Sequence, residues 1–472
     1  MQELEKHHRF KLMDCLVKAP LLKWTIITLA VFTLQVLFFL IAYELSRSHL
    51  QRLAFSQNNQ HDHLQRRVDG YLENNATDAA VATKMSSIAG STRTERTFLF
   101  KEGQLVTDVN CKAIFDGDHN EIERANLLTK TIVRQYLQPS AYQQLAQNCS
   151  SFILHRGYIT IPMSEMEREF PVAFSILMYK DIEMFERLLR AIYRPQNLYC
   201  IHVDAKASDD IFNAVVAITK CFGNVFMASQ RIRVKWGKLS VLTPELVCME
   251  DLLHRSSKWK YFINLTGQEF PLKSNFELVK ILTAFNGSND AEYAVRRNYS
   301  NRWKHAGSPP LNITPVKGAV HVVLSRAFVQ FSLHDEKAIE LYDWTTETKI
   351  PDETFFATLN HNPSLGAPGA YTGKKQRDKN AKPYIARFKN RGGIPCAGKR
   401  VRLVCIIGTG DLPLLIKSKS IFVNKLHQDF HPYAHDCLEE LIANRTRDYY
   451  YGRQTFDASY YTSLDFVKNK VE

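Results

Sequence analysis

Two hydrophobic patterns divide this chain. The first is a single block: residues 24–43 (WTIITLAVFTLQVLFFLIAY) carry no charge and lie between Lys23 and Glu44. A helix rising about 1.5 Å per residue carries such a block across the roughly 30 Å core of a bilayer. Lys6, Arg9, Lys11, Lys18 and Lys23 precede it, and in the twenty residues after it only Arg47 and Arg52 are basic. The positive-inside rule therefore keeps residues 1–23 in the cytosol and sends everything after Tyr43 into the secretory lumen. A cleaved signal peptide would have a shorter apolar region, about 7–15 residues, and a small-residue cleavage site. Ala42-Tyr43-Glu44 does not supply one, so an uncleaved anchor is expected.

The second pattern begins at Pro171. Val172-Ala-Phe-Ser-Ile-Leu-Met-Tyr179 is a continuous apolar run of strand length, and Ile182–Ile192 (IEMFERLLRAI) has helical apolar spacing ending before Pro195. Residues 198–203, 224–228 and 261–265 repeat the strand pattern, with helices expected at Asp209–Thr219, 246–253 and 275–282. Later strands are expected at 319–324 and 401–407. Continuous apolar strands alternating with helices predict an α/β domain whose parallel sheet is covered on both faces. Ligands of such sheets bind outside the carboxyl ends of the strands. The alternation fills 171–446; residues 447–472 are tyrosine-rich and read as a peripheral tail.

Between anchor and domain, residues 44–110 are mostly polar and read as a stem, followed from Cys111 by a lead-in to the regular pattern. Nine cysteines are present; with Cys15 cytosolic, eight remain in an oxidising compartment, where disulfides are the default. Zinc would require close Cys/His pairs, which are absent, and spacing alone does not pair the eight. Asn75, Asn148, Asn264, Asn286, Asn298, Asn312 and Asn444 begin sequons, a density that agrees with a lumenal fate. Asn264 lies in an apolar strand and is expected to be too buried for a glycan. The net charge of +13 is dispersed, and with a lumenal topology it points away from nucleic acid and toward a solvated surface or an anionic ligand such as a nucleotide diphosphate.

Several residues could carry chemistry. Asp204 follows the second strand, where an acid can meet a nucleotide or simply cap a helix. Pro351-Asp352-Glu353 opens a helical pattern; its acids suit the helix dipole, yet a carboxylate there could also take a proton from a hydroxyl. Asp116-Gly117-Asp118, the one Asp-x-Asp triplet, precedes the sheet and reads as a surface turn. Arg402 and Lys425 are late cations that could stabilise a leaving diphosphate in place of a metal.

A type II anchor, a stem and a lumenal α/β domain resemble the layout of Golgi glycosyltransferases, a layout that type II receptors and lectins share. The motifs are more specific. Phe170-Pro171, Ser175-Ile176, Arg187-Leu-Leu-Arg-Ala-Ile-Tyr-Arg-Pro-Gln-Asn197 and Tyr199-Cys-Ile-His-Val-Asp204 resemble the core-2/I-branching β1,6-N-acetylglucosaminyltransferases. So do Asn224-Val-Phe-Met-Ala-Ser229, Trp259-Lys-Tyr-Phe-Ile-Asn264, Phe270-Pro271, Pro351-Asp352-Glu353, Ala386-Arg-Phe388 and Gly408-Thr-Gly-Asp-Leu412, in order from about Cys111 to Cys437.

This resemblance implies a GT-A-like fold that works without Asp-x-Asp, divalent metal or other cofactor. Glu353 matches the catalytic base, Arg402 and Lys425 the cations that hold the UDP diphosphate, and Asp204 the residue at the uridine end. Glu292, Arg302 and Trp303 are matched to the acceptor wall. The implied disulfides are Cys111–Cys437, Cys149–Cys221, Cys200–Cys248 and Cys396–Cys405. The implied reaction is an inverting transfer of N-acetylglucosamine from UDP-GlcNAc to the 6-hydroxyl of GalNAc or galactose in an O-glycan on a glycoprotein, in the Golgi membrane. The alternatives are the same chemistry with UDP-glucose or UDP-xylose, or a silent lectin-like binder on this fold. Two departures stand out: Thr266 replaces the family's free cysteine, and the segment after Phe388 is short and lacks the family's acceptor-contacting aromatics.

Overall fold

The computed structural model describes residues 105–293, 300–373 and 384–472. The expected anchor at 24–43, residues 44–104 of the stem expected at 44–110, and sequons Asn75 and Asn298 lie outside them. No helix among the described residues is long and apolar enough to cross a membrane.

The strands are β1 (Val172–Met178), β2 (Leu198–Val203), β3 (Val225–Met227), β4 (Tyr261–Thr266), β5 (Glu269–Pro271), β6 (Asp290–Ala291), β7 (Val322–Ser325), β8 (Arg387–Phe388), β9 (Lys399–Val401), β10 (Val404–Ile406) and β11 (Phe422–Asn424). Six form the central sheet in the order β3-β2-β1-β4-β7-β6. β1 pairs in parallel with both β2 and β4, and β2 with β3; β7 joins β4 antiparallel. The expected α/β domain with a mainly parallel sheet is therefore present. Continuous apolar strands are needed because both faces are covered. Val172, Phe174 and Ile176 enter one core with Phe185, Leu188 and Leu189, whereas Ala173 enters another with Phe262 and Phe328. The helix Ile182–Ile192 has the bounds its apolar spacing predicts.

Three segments differ from the sequence reading. Residues 401–407 do not form one strand: β9 and β10 make a hairpin whose two-residue turn is Arg402-Leu403, both at positive φ (47° and 69°). That conformation suits the twist of a two-residue hairpin but usually selects Asn or Gly, so the sequence gives no turn signal here. The strand expected at 319–324 is the shorter, shifted β7. The tail is not peripheral: Tyr461, Leu464 and Phe466 are buried in the main core, and the Val471 N–H donates to the Ala370 carbonyl at 2.8 Å.

A second layer holds the lead-in against the domain's end. Strands β5, β11 and β8 form a three-stranded sheet. The long helix Pro432–Tyr450 packs on it, and Glu440 accepts the backbone N–H groups of Leu105 and Val106 at 2.8 and 2.9 Å. All four disulfides are formed: Cys111–Cys437, Cys149–Cys221, Cys200–Cys248 and Cys396–Cys405. They account for all eight cysteines from Cys111 onward. Asn264 is buried and donates its amide to Glu245 and to the Val320 carbonyl (3.2 and 2.8 Å). Asn148 caps the helix Cys149–Arg156 and Asn286 ends the helix Asn275–Phe285 in a left-handed turn. Asn312 is exposed, and Asn444 lies half-buried on the helix Pro432–Tyr450.

Candidate active site

From β1 the chain steps outward to β2 and β3, then crosses back so that β4 lies on the other side of β1. Such a reversal opens a crevice at the carboxyl ends of β1 and β4. The candidate residues converge on this end from distant parts of the chain.

Asp204 follows β2 and is buried. Its Oδ1 accepts N–H groups from Lys206 (2.9 Å) and Val234 (3.3 Å), and Oδ2 lies 3.1 Å from the Lys206 ammonium. It caps no helix: Ser208 does that for Asp209–Thr219. Asp204 instead ties the 231–234 segment to the strand end. His202 assists by accepting the Ile232 N–H at 2.9 Å; burial pushes its imidazole down to about 4, so it is neutral.

Glu353 closes a 3-10 turn, Pro351–Glu353, that runs into the helix Phe355–Asn360. Burial alone would raise its pKa, but the charges of Lys317 and Arg302 outweigh burial and hold the carboxyl below its ordinary value. Arg302 donates to Oε2 at 2.7 Å, and the Lys317 ammonium is 3.3 Å from the same oxygen. Asp352, the preceding residue, goes the other way: burial and the charge of Glu353 push it up to about 6. The expected acceptor wall gathers around this turn. The Arg302 carbonyl accepts the Lys349 N–H at 2.8 Å, and the Trp303 indole donates to the Thr354 hydroxyl at 3.3 Å. The Glu292 carbonyl is reached through Gly318, where an added Cβ would sit 2.4 Å from it. Glu292, Arg302, Trp303 and Glu353 thus meet in one place.

The two late cations also meet. Arg402 stands exposed at the tip of the β9–β10 hairpin, and Lys425 follows β11 with its carbonyl accepting the Ile407 N–H at 3.0 Å. Burial depresses the Lys425 ammonium first, and the charges of Arg402 and Lys180 depress it further. His427 is lowered by burial and then by Lys425, with Lys399 and Lys180 contributing. Lys180, Lys399, Arg402 and Lys425 therefore form one basic region, and among the described residues neither Arg402 nor Lys425 has a carboxylate partner. Asp116-Gly117-Asp118 is remote in role: Asp116 pairs with Lys112, and Asp118 caps the helix His119–Thr131.

Sequence reasoning missed a buried polar floor beneath the crevice. Glu269 accepts from Arg387 Nε (2.9 Å), Asn424 Nδ2 (2.9 Å) and the Thr266 N–H (3.2 Å), and lies 2.7 Å from His321 Nε2. Burial alone would raise its carboxyl; Arg387 and His321 hold it far below the usual range instead. Lys389 Nζ meets His321 Nδ1 at 2.7 Å, and burial followed by nearby arginines pushes this lysine down to about 7. Lys389 belongs to the shortened segment after Phe388, so that segment turns a lysine inward. The only sequence signal for Lys180 was position, just past the carboxyl end of β1. Lys317 gave none.

Residues 172–415 match the family described as Branch: Core-2/I-Branching enzyme. The chain is 37% identical over 369 residues to the Homo sapiens beta-1,3-galactosyl-O-glycosyl-glycoprotein beta-1,6-N-acetylglucosaminyltransferase, covering 72% of this chain and 86% of that relative. It is 36% identical to the Homo sapiens relative of the same name numbered 3 (71% and 82% covered), and 35% identical to a bovine herpesvirus 4 relative (71% and 83%). A match of this extent, coinciding with the fold and with the residues gathered at the crevice, places the chain in the Core-2/I-Branching enzyme family.

Proposed function

We propose that this enzyme is an inverting, metal-independent β1,6-N-acetylglucosaminyltransferase, anchored in the Golgi membrane, that moves GlcNAc from UDP-GlcNAc to the 6-hydroxyl of GalNAc or galactose in O-glycans of glycoproteins. The observation that carries the reading is the pairing of two sites in one crevice: an ionised Glu353 beside Arg302 and Trp303, and a basic region containing Arg402 and Lys425. Glu353 takes the proton as the acceptor oxygen attacks the sugar's anomeric carbon from the face opposite UDP. The bond to the diphosphate breaks, and the guanidinium of Arg402 and the ammonium of Lys425 receive the charge that develops there. Asp204 would serve the uridine end. The curated relatives' names supply the donor sugar and the linkage.

A secreted form beginning at Ser46, assayed against a panel of UDP-sugars and mucin-type acceptors, tests the proposal. Transfer from UDP-GlcNAc that persists in excess EDTA is expected. Preference for UDP-glucose or UDP-xylose would overturn the donor. Loss of activity in EDTA with rescue by manganese would overturn the role of the cations. Absence of UDP release with every acceptor would favour a lectin-like binder.

A further inference from the structure

Lys317 lies on the approach to β7, far in sequence from Glu353, and its side chain is only 4% exposed. Its placement depends on its neighbour. The Gly318 N–H donates to the Glu353 carbonyl at 2.8 Å, and a Cβ at this position would come within 2.4 Å of the Glu292 carbonyl oxygen and 2.6 Å of Ala357 Cβ. Only glycine lets the two backbones approach so closely. That approach carries the Lys317 ammonium to 3.3 Å from Glu353 Oε2, the oxygen Arg302 already holds at 2.7 Å from a different part of the chain. Nothing among the described residues bonds to Oε1.

We propose that Lys317 is a positioning residue for the catalytic base: with Arg302 it clamps Oε2 from two directions, so that Oε1 is left as the oxygen that receives the acceptor hydroxyl's proton. This inference rests on Glu353 being the base. Placing two cations on one oxygen fixes the carboxylate plane, which a single cation would leave free to swing. It also keeps the group ionised while it is largely withdrawn from water. The charged groups facing the carboxylate are Lys317, Arg302 and, further off, Arg391, all favouring ionisation; Asp352 opposes it from the same turn. A base held in this way stays ionised to lower pH than an ordinary glutamate, at the expense of some intrinsic basicity.

The test is the pH dependence of kcat/KM for the acceptor, measured with full-length enzyme in detergent. Lys317→Met should move the acid limb upward by about one pH unit or more, the size expected when an opposite charge within about 4 Å is lost. Transfer on the plateau should fall about tenfold, and Lys317→Arg should bring the limb back toward its original pH. Should the methionine variant fail to fold, Lys317→Gln gives the same reading. An unshifted acid limb in a folded, charge-removing variant overturns the clamp, since loss of packing alone would lower the rate without moving the limb. Glu353→Gln separates the two layers of the argument. If it retains near-normal turnover, the base assignment and this inference fall together. If it is inactive while Lys317→Met leaves the limb in place, the inference alone falls.

Discussion

The crevice holds two groups of cations that do opposite work. On one side, Lys317 is buried and Arg302 half-buried, and both contact Glu353 Oε2. On the other, Arg402 and Lys425 have no carboxylate ion-pair partner among the described residues, and the charge of Arg402 adds to burial in depressing the Lys425 ammonium. A paired cation tunes a neighbour, whereas an unpaired one waits for an anion from outside. Arg402, Lys425 and Lys180 gather positive charge, with Lys180 3.3 Å from the Asp181 carboxylate, and a diphosphate is the kind of ligand that such a region attracts.

Breaking the paired side should have the largest effect. Glu353→Gln keeps the shape of the turn and should lower kcat by roughly a thousandfold or more, the upper part of the range for losing a general base, while UDP binding is retained. Single-turnover kinetics and UDP binding by calorimetry would check both halves; near-normal turnover would refute the assignment. On the unpaired side, Arg402→Ala should reduce donor kcat/KM by about 30- to 1000-fold, as loss of one preorganised electrostatic contact does. Lys425→Ala should cost less, because a planar guanidinium can engage two phosphate oxygens and an ammonium acts as a point charge. Equal losses would show that the bidentate argument is wrong.

A smaller effect sharpens what a buried acid without a cation does. Glu245 sits behind the sheet, bonded to the Ser175 hydroxyl at 2.5 Å and to the Asn264 amide, and burial pushes it up to about 7. Its folded pKa exceeds the unfolded one, so ionisation costs stability. The cost is absent below about pH 4.5, grows as pH rises toward 7 and is complete above it. Glu245→Gln, which can keep both hydrogen bonds, should therefore be more stable than the parent at pH 8 by about 1–3 kcal/mol, with the gain shrinking at pH 5. Thermal melts at the two pH values would show it, and a gain independent of pH would contradict it. Smallest of all, Lys180→Ala should raise the donor KM about threefold at low salt and little at high salt, as befits a solvent-exposed charge. A salt-independent loss would mean that Lys180 touches the donor directly.

How legible was this arrangement? The sheet could be read because a strand buried on both faces must be apolar throughout, and residues 172–178, 198–203 and 261–266 leave little room for another interpretation. The roles proposed for Glu353, Arg402 and Lys425 rest on family motifs, not on composition, since each alone looks like a surface charge. The hairpin was hidden because Arg402-Leu403 occupies a turn that normally advertises itself with Asn-Gly. The tail misled for a different reason: its tyrosines suit a surface, but Tyr461, Leu464 and Phe466 fill the end of the core. Lys317 and the Glu269–His321–Lys389 floor could not be read at all. Their meaning is the convergence of residues 36 to 120 positions apart, which no local pattern encodes.

The bridge from Cys111 to Cys437 makes nearly the whole catalytic unit one covalent ring of 326 residue steps. A protease that cuts once inside the ring opens a chain but releases no fragment, and a cut upstream of Leu105 leaves the ring closed. Nicked enzyme would therefore run as two pieces on a gel only after reduction. Cleavage upstream of Leu105, in the expected stem, and damage to the working unit become separable events, told apart by whether a reductant is needed to see the break.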